Sequence, residues 1–253
     1  MMQLDAANER PGFRETRQRL SQAQKTTKGA PAYSRYVNRP LGRSFAAAAY
    51  LLGRTPNQVT AVSACFTYAA IAVVFLVRPQ WWVGVLVAAL LVLGYALDAA
   101  DGQLARLRGG GSPAGEWLDH MFDAGKVATL HLAVLVAVYR FYDVADGWLL
   151  VPLAFSAVSS VAFFGMILND LLRQRQVAAT GVPIERGGTS RLRSLLVIPT
   201  DYGFLCLAFV LFGVPAAFFP VYCLFFLANA GFLALAVVKW FHDMQALAGP
   251  APR

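Results

Sequence analysis

The chain has 253 residues, of which 57% are hydrophobic and only 14% charged, and its mean hydropathy is positive. That balance excludes an ordinary soluble globular domain and points to a protein embedded in a bilayer. A formal net charge of +8 would suit a nucleic-acid binder, but the Lys and Arg residues follow the apolar segments along the chain instead of forming one patch interleaved with aromatics. Anionic lipid headgroups are the expected counterpart, and nucleic acid is not.

Residues 1–31 are polar and charged, end on Gly29 and Ala30-Pro31, and contain no apolar run. A mobile tail without a cleavable signal peptide is expected there. Between 33 and 52, Arg35, Arg39 and Arg43 occupy one side and Val37, Leu41, Phe45 and Tyr50 lie elsewhere. This predicts a helix lying in the membrane interface, interrupted or kinked at Pro40. Thr55-Pro56-Asn57 then reads as a helix start in which Thr55 or Asn57 is the cap.

Apolar stretches follow at 59–77, 81–97, 117–138, 148–168, 202–212 and 216–239, each bounded by charge, Pro or Gly. Most approach the roughly 20 residues that span a hydrocarbon core; 202–212 is short unless it begins near Leu195 or tilts little. The expected fold is an all-α integral membrane protein, six transmembrane helices plus an N-terminal interfacial helix. Its membrane domain covers 32–244, followed by a C-terminal tail at 245–253. No period of 20 to 50 residues repeats, which excludes a solenoid.

Charge sets the orientation. With the N-terminus cytoplasmic, nineteen of the 22 Lys and Arg residues fall in inside segments, against Arg78 and Arg140 outside and Lys126 within a span. Both termini are therefore expected inside. Trp81, Trp82, Trp117, Trp148 and Trp240 fit interfacial belts. Cys65, Cys206 and Cys223 are odd in number, lie in apolar segments and read as packing residues. His120 faces away from its acidic neighbours, and His131 and His242 stand apart, so no zinc site is implied.

The chemistry is concentrated between Leu97 and Asp123. The stretch reads Asp98-Ala99-Ala100-Asp101-Gly102-Gln103-Leu104-Ala105-Arg106, then eight residues, then Gly115-Glu116-Trp117-Leu118-Asp119-His120-Met121-Phe122-Asp123. At about 100° per residue, Asp98, Asp101, Gly102 and Ala105 share one face of a helix, and Gly115, Asp119 and Asp123 share one face of the next. Two acidic faces can meet across the short loop. Their carboxylates repel unless divalent cations neutralise them, and hard oxygen ligands point to magnesium, manganese or calcium. Helix capping would explain one acid near a helix start, not two helical pairs. Gly102 and Ala105 on the acidic face permit close approach of a ligand or of another helix.

This stretch resembles the signature of the CDP-alcohol phosphotransferases, Asp-x2-Asp-Gly-x2-Ala-Arg, a spacer, then Gly-x3-Asp-x3-Asp, with every fixed position present. The resemblance implies transfer of a substituted phosphate from a CDP-linked donor to an alcohol, with release of CMP. It implies two Mg2+ or Mn2+ ions on Asp98, Asp101, Asp119 and Asp123, with Asp123 also taking the proton of the attacking hydroxyl. Gly102, Ala105, Arg106 and Ser112 become donor ligands. Pro56-Asn57-x-x-Thr60 resembles the family's Pro-Asn-x-x-Thr at the first span and adds Asn57 and Thr60 to the donor site. A homodimer is also implied.

Lys126, one turn after Asp123, is a candidate for the acceptor site because a lysine within a span is costly unless paired or functional. Arg191 and Arg193 are further candidates if the acceptor carries a phosphate, although positive-inside charge alone explains them. A site at the interface favours CDP-diacylglycerol as donor and a polar alcohol such as inositol phosphate or glycerol phosphate as acceptor. Headgroup transfer from a soluble CDP-alcohol to diacylglycerol stays open, as does a cation or proton transporter. The expected location is a bacterial inner membrane with the site on its cytoplasmic side.

Overall fold

The computed structural model describes residues 12–22, 31–181 and 200–247, and all regular elements among them are helical. α1 (Phe13–Gln22) falls within the segment expected to be a tail. Thr16 and Leu20, four residues apart, form its buried side, and Leu20 packs with Ala46, Ala47, Ala100 and Leu104. A single apolar contact of this kind gives too little pattern to be read from a polar sequence.

The interfacial segment begins with a π turn, Ser34–Asn38, and continues without a break into α2 (Arg39–Leu51). The Arg39 amide donates to the Ser34 carbonyl. The widened turn just before Pro40, which lacks an N–H, interrupts the α-helical pattern where an interruption or kink was expected, while the chain stays helical.

Five helical segments are long and apolar enough to cross a membrane: α3 (Pro56–Leu76), α4 (Trp81–Leu107), α5 (Pro113–Phe141), α6 (Leu150–Thr180) with the 3-10 turn Asp146–Leu149 before it, and α8 (Pro215–Leu247). α3 starts at a full capping box: Gln58 N–H donates to Thr55 Oγ1 (3.2 Å), and Thr55 N–H to Gln58 Oε1 (3.1 Å). Thr55, not Asn57, is the cap.

The expected fifth span, 202–212, is shorter than the others: α7 (Tyr202–Ala208) followed by the 3-10 turn Phe209–Gly213. Tyr202 packs edge-on against Tyr95, while Val210 and Gly213 lie against the backbone near Gly84 and Gln80. The segment thus runs along α4 from the level of Tyr95 to its start. Because a 3-10 turn rises about 2.0 Å per residue, it covers more depth than its residue count suggests.

Small residues let these helices approach. A methyl on Gly94 would strike Thr67 Oγ1, and one on Gly125 would strike Tyr68 Oη. Ser63 Oγ donates to Gly94 O (2.8 Å), and Tyr68 Oη to Phe122 O (3.0 Å), so α3 is locked to both α4 and α5. The main core, including Val87, Leu91, Leu130, Val134, Phe209 and Tyr222, fills the half of the bundle away from the aspartates. Much of α8 faces outward with Leu224, Leu227, Leu235 and Phe241 exposed, as suits a lipid-facing or subunit-facing surface.

Candidate metal centre and substrate cavity

α4 carries Asp98 and Asp101 one turn apart and continues for nine residues past Asp98, about 13 Å. The carboxylates therefore lie inside the helix end, not at its tip. Gly110 N–H closes α4 by donating to Ala105 O (3.0 Å). Gly109 (φ 96°) and Gly110 (φ 131°) then take backbone conformations that side chains disfavour and reverse the chain. Ser112 Oγ accepts from Gly115 N–H (3.1 Å), and Pro113 occupies the first turn of α5. This start places Asp119 and Asp123 one turn apart, opposite Asp98.

Carboxylate oxygens of Asp98, Asp119 and Asp123 lie within 4.8 Å of one another. Asp101 stands outside this trio. It is 6% exposed and turned toward α3, where the Thr60 hydroxyl donates to its Oδ2 at 2.6 Å. Asp101 nevertheless lines the same cavity as Asp98 and Asp119. Thr60, expected at the donor site, orients a carboxylate.

Lys126 follows Asp123 by one turn and is 9% exposed. Its ammonium pairs with Asp123, stands 3.9 Å from Asp98 and lies 5.2 Å from the centre of the Tyr202 ring. The lysine is thus bound up with the carboxylates, which explains how it is tolerated within a span. Four aspartates against Lys126, Arg39 and Arg106 still leave an excess of negative charge around the site. Converging hard oxygen donors with that excess fit magnesium-type or manganese-type cations.

Beside the carboxylates is a cavity of about 220 Å³. From α4 it is lined by Asp98, Asp101, Gly102 and Arg106, and from α5 by Asp119. A methyl on Gly102 would meet only Arg106 Nη1, at 3.4 Å, so the glycine keeps this wall open. Ala105 is half-buried and outside the lining. Asn57 and Ser112 are exposed; Asn57 Oδ1 is what a methyl on Gly115 would meet, at 2.9 Å, so both residues stand at the junction of α3 and α5.

Arg191 and Arg193 lie outside the described residues. Arg173 and Arg175 belong to the last turns of α6, and Arg173 donates to Asp243 Oδ2 at 2.7 Å. Arg108 donates to Arg54 O (2.7 Å). The sequence reading missed Ser34, Asn38, Tyr95 and Gln103 in the cavity wall, and it took Arg39, also in that wall, only as an interfacial charge. The arginine spacing was the sole available signal.

The family model for CDP-alcohol phosphatidyltransferase matches residues 54–241. No curated protein matches the chain. Among solved structures, it is similar to Mycobacterium tuberculosis phosphatidylinositol phosphate synthase (PgsA1) with CDP-DAG bound, at 21% identity and TM-score 0.48, covering 86% of this chain and 98% of that one. The same protein in complex with manganese and citrate matches at 21% identity and TM-score 0.47, covering 83% and 91%. The family-model match over residues 54–241, which includes the acidic motif whose carboxylates converge in space, places the protein in the CDP-alcohol phosphatidyltransferase family.

Proposed function

We propose that this chain transfers the phosphatidyl group of CDP-diacylglycerol to a polar alcohol that itself carries a phosphate, such as inositol phosphate or glycerol phosphate, and releases CMP. The observation that carries the reading is the convergence of Asp98, Asp119 and Asp123 beside an open cavity, within helices that suit a bilayer. A lipid donor needs such a place: its nucleotide enters from water while its acyl chains stay among apolar helices.

Asp98, Asp101, Asp119 and Asp123 would hold two Mg2+ or Mn2+ ions. When bound, those ions neutralise pyrophosphate oxygens and the charge that develops as the bond to CMP breaks. The chain's own residues do the rest. Arg106 presents a planar fork to the donor phosphates, Gly102 and Ala105 allow the nucleotide to come close, and Asn57 and Ser112 border its path. Thr60 fixes Asp101 from behind. Asp123 takes the proton of the acceptor hydroxyl as its oxygen bonds to phosphorus and CMP departs with the electron pair of the broken bond. Lys126 holds the Asp123 carboxylate in place, and Arg191 and Arg193 contribute to the acceptor side.

The proposed topology has six crossings, counting the short run Tyr202–Gly213 as the fifth, in a homodimer whose site and termini face the cytoplasm of a bacterial cell. The test is CMP release by purified protein in lipid with CDP-diacylglycerol and Mg2+, screened across inositol phosphate, glycerol phosphate, serine and inositol, with Asp123→Asn as control. Release with one acceptor and loss in the variant are expected. No release with any acceptor would overturn the lipid-donor reading and favour soluble CDP-alcohols.

A further inference from the structure

One wall of the cavity comes from outside the acidic motif. Ser34, Asn38 and Arg39 of the interfacial segment face Asp98, Gly102 and Arg106 across it. Asn38 is 2% exposed, and its Oδ1 has no hydrogen-bond partner among the described residues. A buried carbonyl oxygen without a donor is costly, so its persistence in a cavity wall calls for a ligand that supplies the donor.

The position of Asn38 is built. Asp201, 1% exposed, accepts from the amides of Tyr33 (2.8 Å) and Ser34 (3.4 Å) at the start of the π turn. At its end, Gln103 Nε2 of α4 donates to Arg39 O (3.2 Å). Both ends of the turn are therefore fixed to the bundle by buried side chains, and π turns are often found where a functional side chain must be re-aimed. Arg39 and Arg106 bring two guanidinium groups to the same cavity, close enough to act on each other as like charges. Asp101 lends Arg106 an opposite charge, and the planar forks of both arginines can in addition share the oxygens of one phosphate.

We propose that Asn38 contacts substrate: its carboxamide oxygen accepts from a hydroxyl of a phosphate-bearing polyol whose phosphate lies between Arg39 and Arg106. The proposal deepens the phosphatidyl-transfer reading and rests on it for the identity of the polyol. Two substrates of that reaction share the chemistry, the ribose diphosphate of the donor and a phosphorylated acceptor.

Binding is measured apart from turnover, as the rise in melting temperature of the detergent-solubilised full chain caused by CDP with Mg2+, by inositol phosphate or by glycerol phosphate. CDP identifies the donor, and the polyol phosphates the acceptor. At least one probe is expected to stabilise the wild type, and Asn38→Leu, which keeps the branching but removes the acceptor atom, to weaken that probe about tenfold. Without ligand, Asn38→Leu should melt no lower than wild type, because it removes an unpaired buried oxygen. Asn38→Asp keeps the shape but repels phosphate and should weaken the same probe.

Equal affinity in Asn38→Leu and wild type, no binding of any probe to wild type, or a fall in the melting temperature of ligand-free Asn38→Leu would each overturn the proposal. CMP release by wild type, followed in parallel, reports separately on the reaction: Asn38-dependent binding without release would leave the site standing and remove the phosphatidyl-transfer reading.

Discussion

Lys126 and the carboxylates around it form one electrostatic unit, and removing the lysine is the informative perturbation. In Lys126→Met, Asp98 and Asp123 lose a cation that contacts both. A buried pair broken on one side costs about 3–5 kcal/mol, so a large fall in melting temperature is expected in EDTA. Mg2+ should restore more stability to this variant than to wild type, because the ion takes over the neutralising role. An equal Mg2+ response in both proteins would show that the lysine and the metal do not share these carboxylates. Thr60→Val tests the neighbouring aspartate: it preserves shape, removes the 2.6 Å bond to Asp101, and should cost about 1–3 kcal/mol in thermal unfolding and reduce CMP release. At this scale Asp98, Asp119 and Asp123 were legible because a one-turn spacing forces residues onto one face. The Thr60–Asp101 bond and the unpaired oxygen of Asn38 were not, since each depends on a contact between distant segments that no local pattern encodes.

Among the elements, the seam between α3 and α4 is the tightest constraint on the site, because it holds Thr60 against Asp101. Gly94→Ala would drive a methyl into Thr67 Oγ1 at a point where Ser63 already bonds the Gly94 carbonyl. A loss of about 1–3 kcal/mol is expected, read as a lower melting temperature. Asp201 ties two elements at once, capping α7 through Gly203 N–H (3.1 Å) and anchoring the interfacial segment through Tyr33 and Ser34. Burial of Tyr33, which raises its phenol above the ordinary range with Cys206 and then Asp201 adding to the shift, marks this corner as closed to water. Asp201→Ala should cost roughly 1–2 kcal/mol or more, as a lost cap does. The cap at Ser112 was not read as one, whereas the helix start at Thr55 was readable from its residue types. The π turn before Pro40 and the change to 3-10 geometry after Ala208 were not, since proline and a short apolar run each permit several backbone solutions and packing selects among them.

At the scale of the whole molecule, apolar length and the distribution of Lys and Arg predicted a membrane bundle, and five segments meet that description. The proposed crossing by Tyr202–Gly213 has a direct consequence: single cysteines at Thr180 and Val214, both exposed and flanking that run, in a chain lacking Cys65, Cys206 and Cys223, should react with an impermeant maleimide from opposite sides of sealed vesicles. The opening of the cavity between α2, α4 and α5 joins the interfacial helix to the acidic motif, so binding and chemistry are expected to fail together when either wall is altered. Under the proposed function, the clustered aspartates make this chain a metal-dependent transferase of the phosphatidyl group. The most direct measurement is the stoichiometry of CMP and new phospholipid formed by the reconstituted chain from CDP-diacylglycerol and the best acceptor, with Mg2+ and then with EDTA. Equal amounts of the two products with Mg2+ and neither with EDTA are predicted; equal product in EDTA, or CMP without a new lipid, would contradict it.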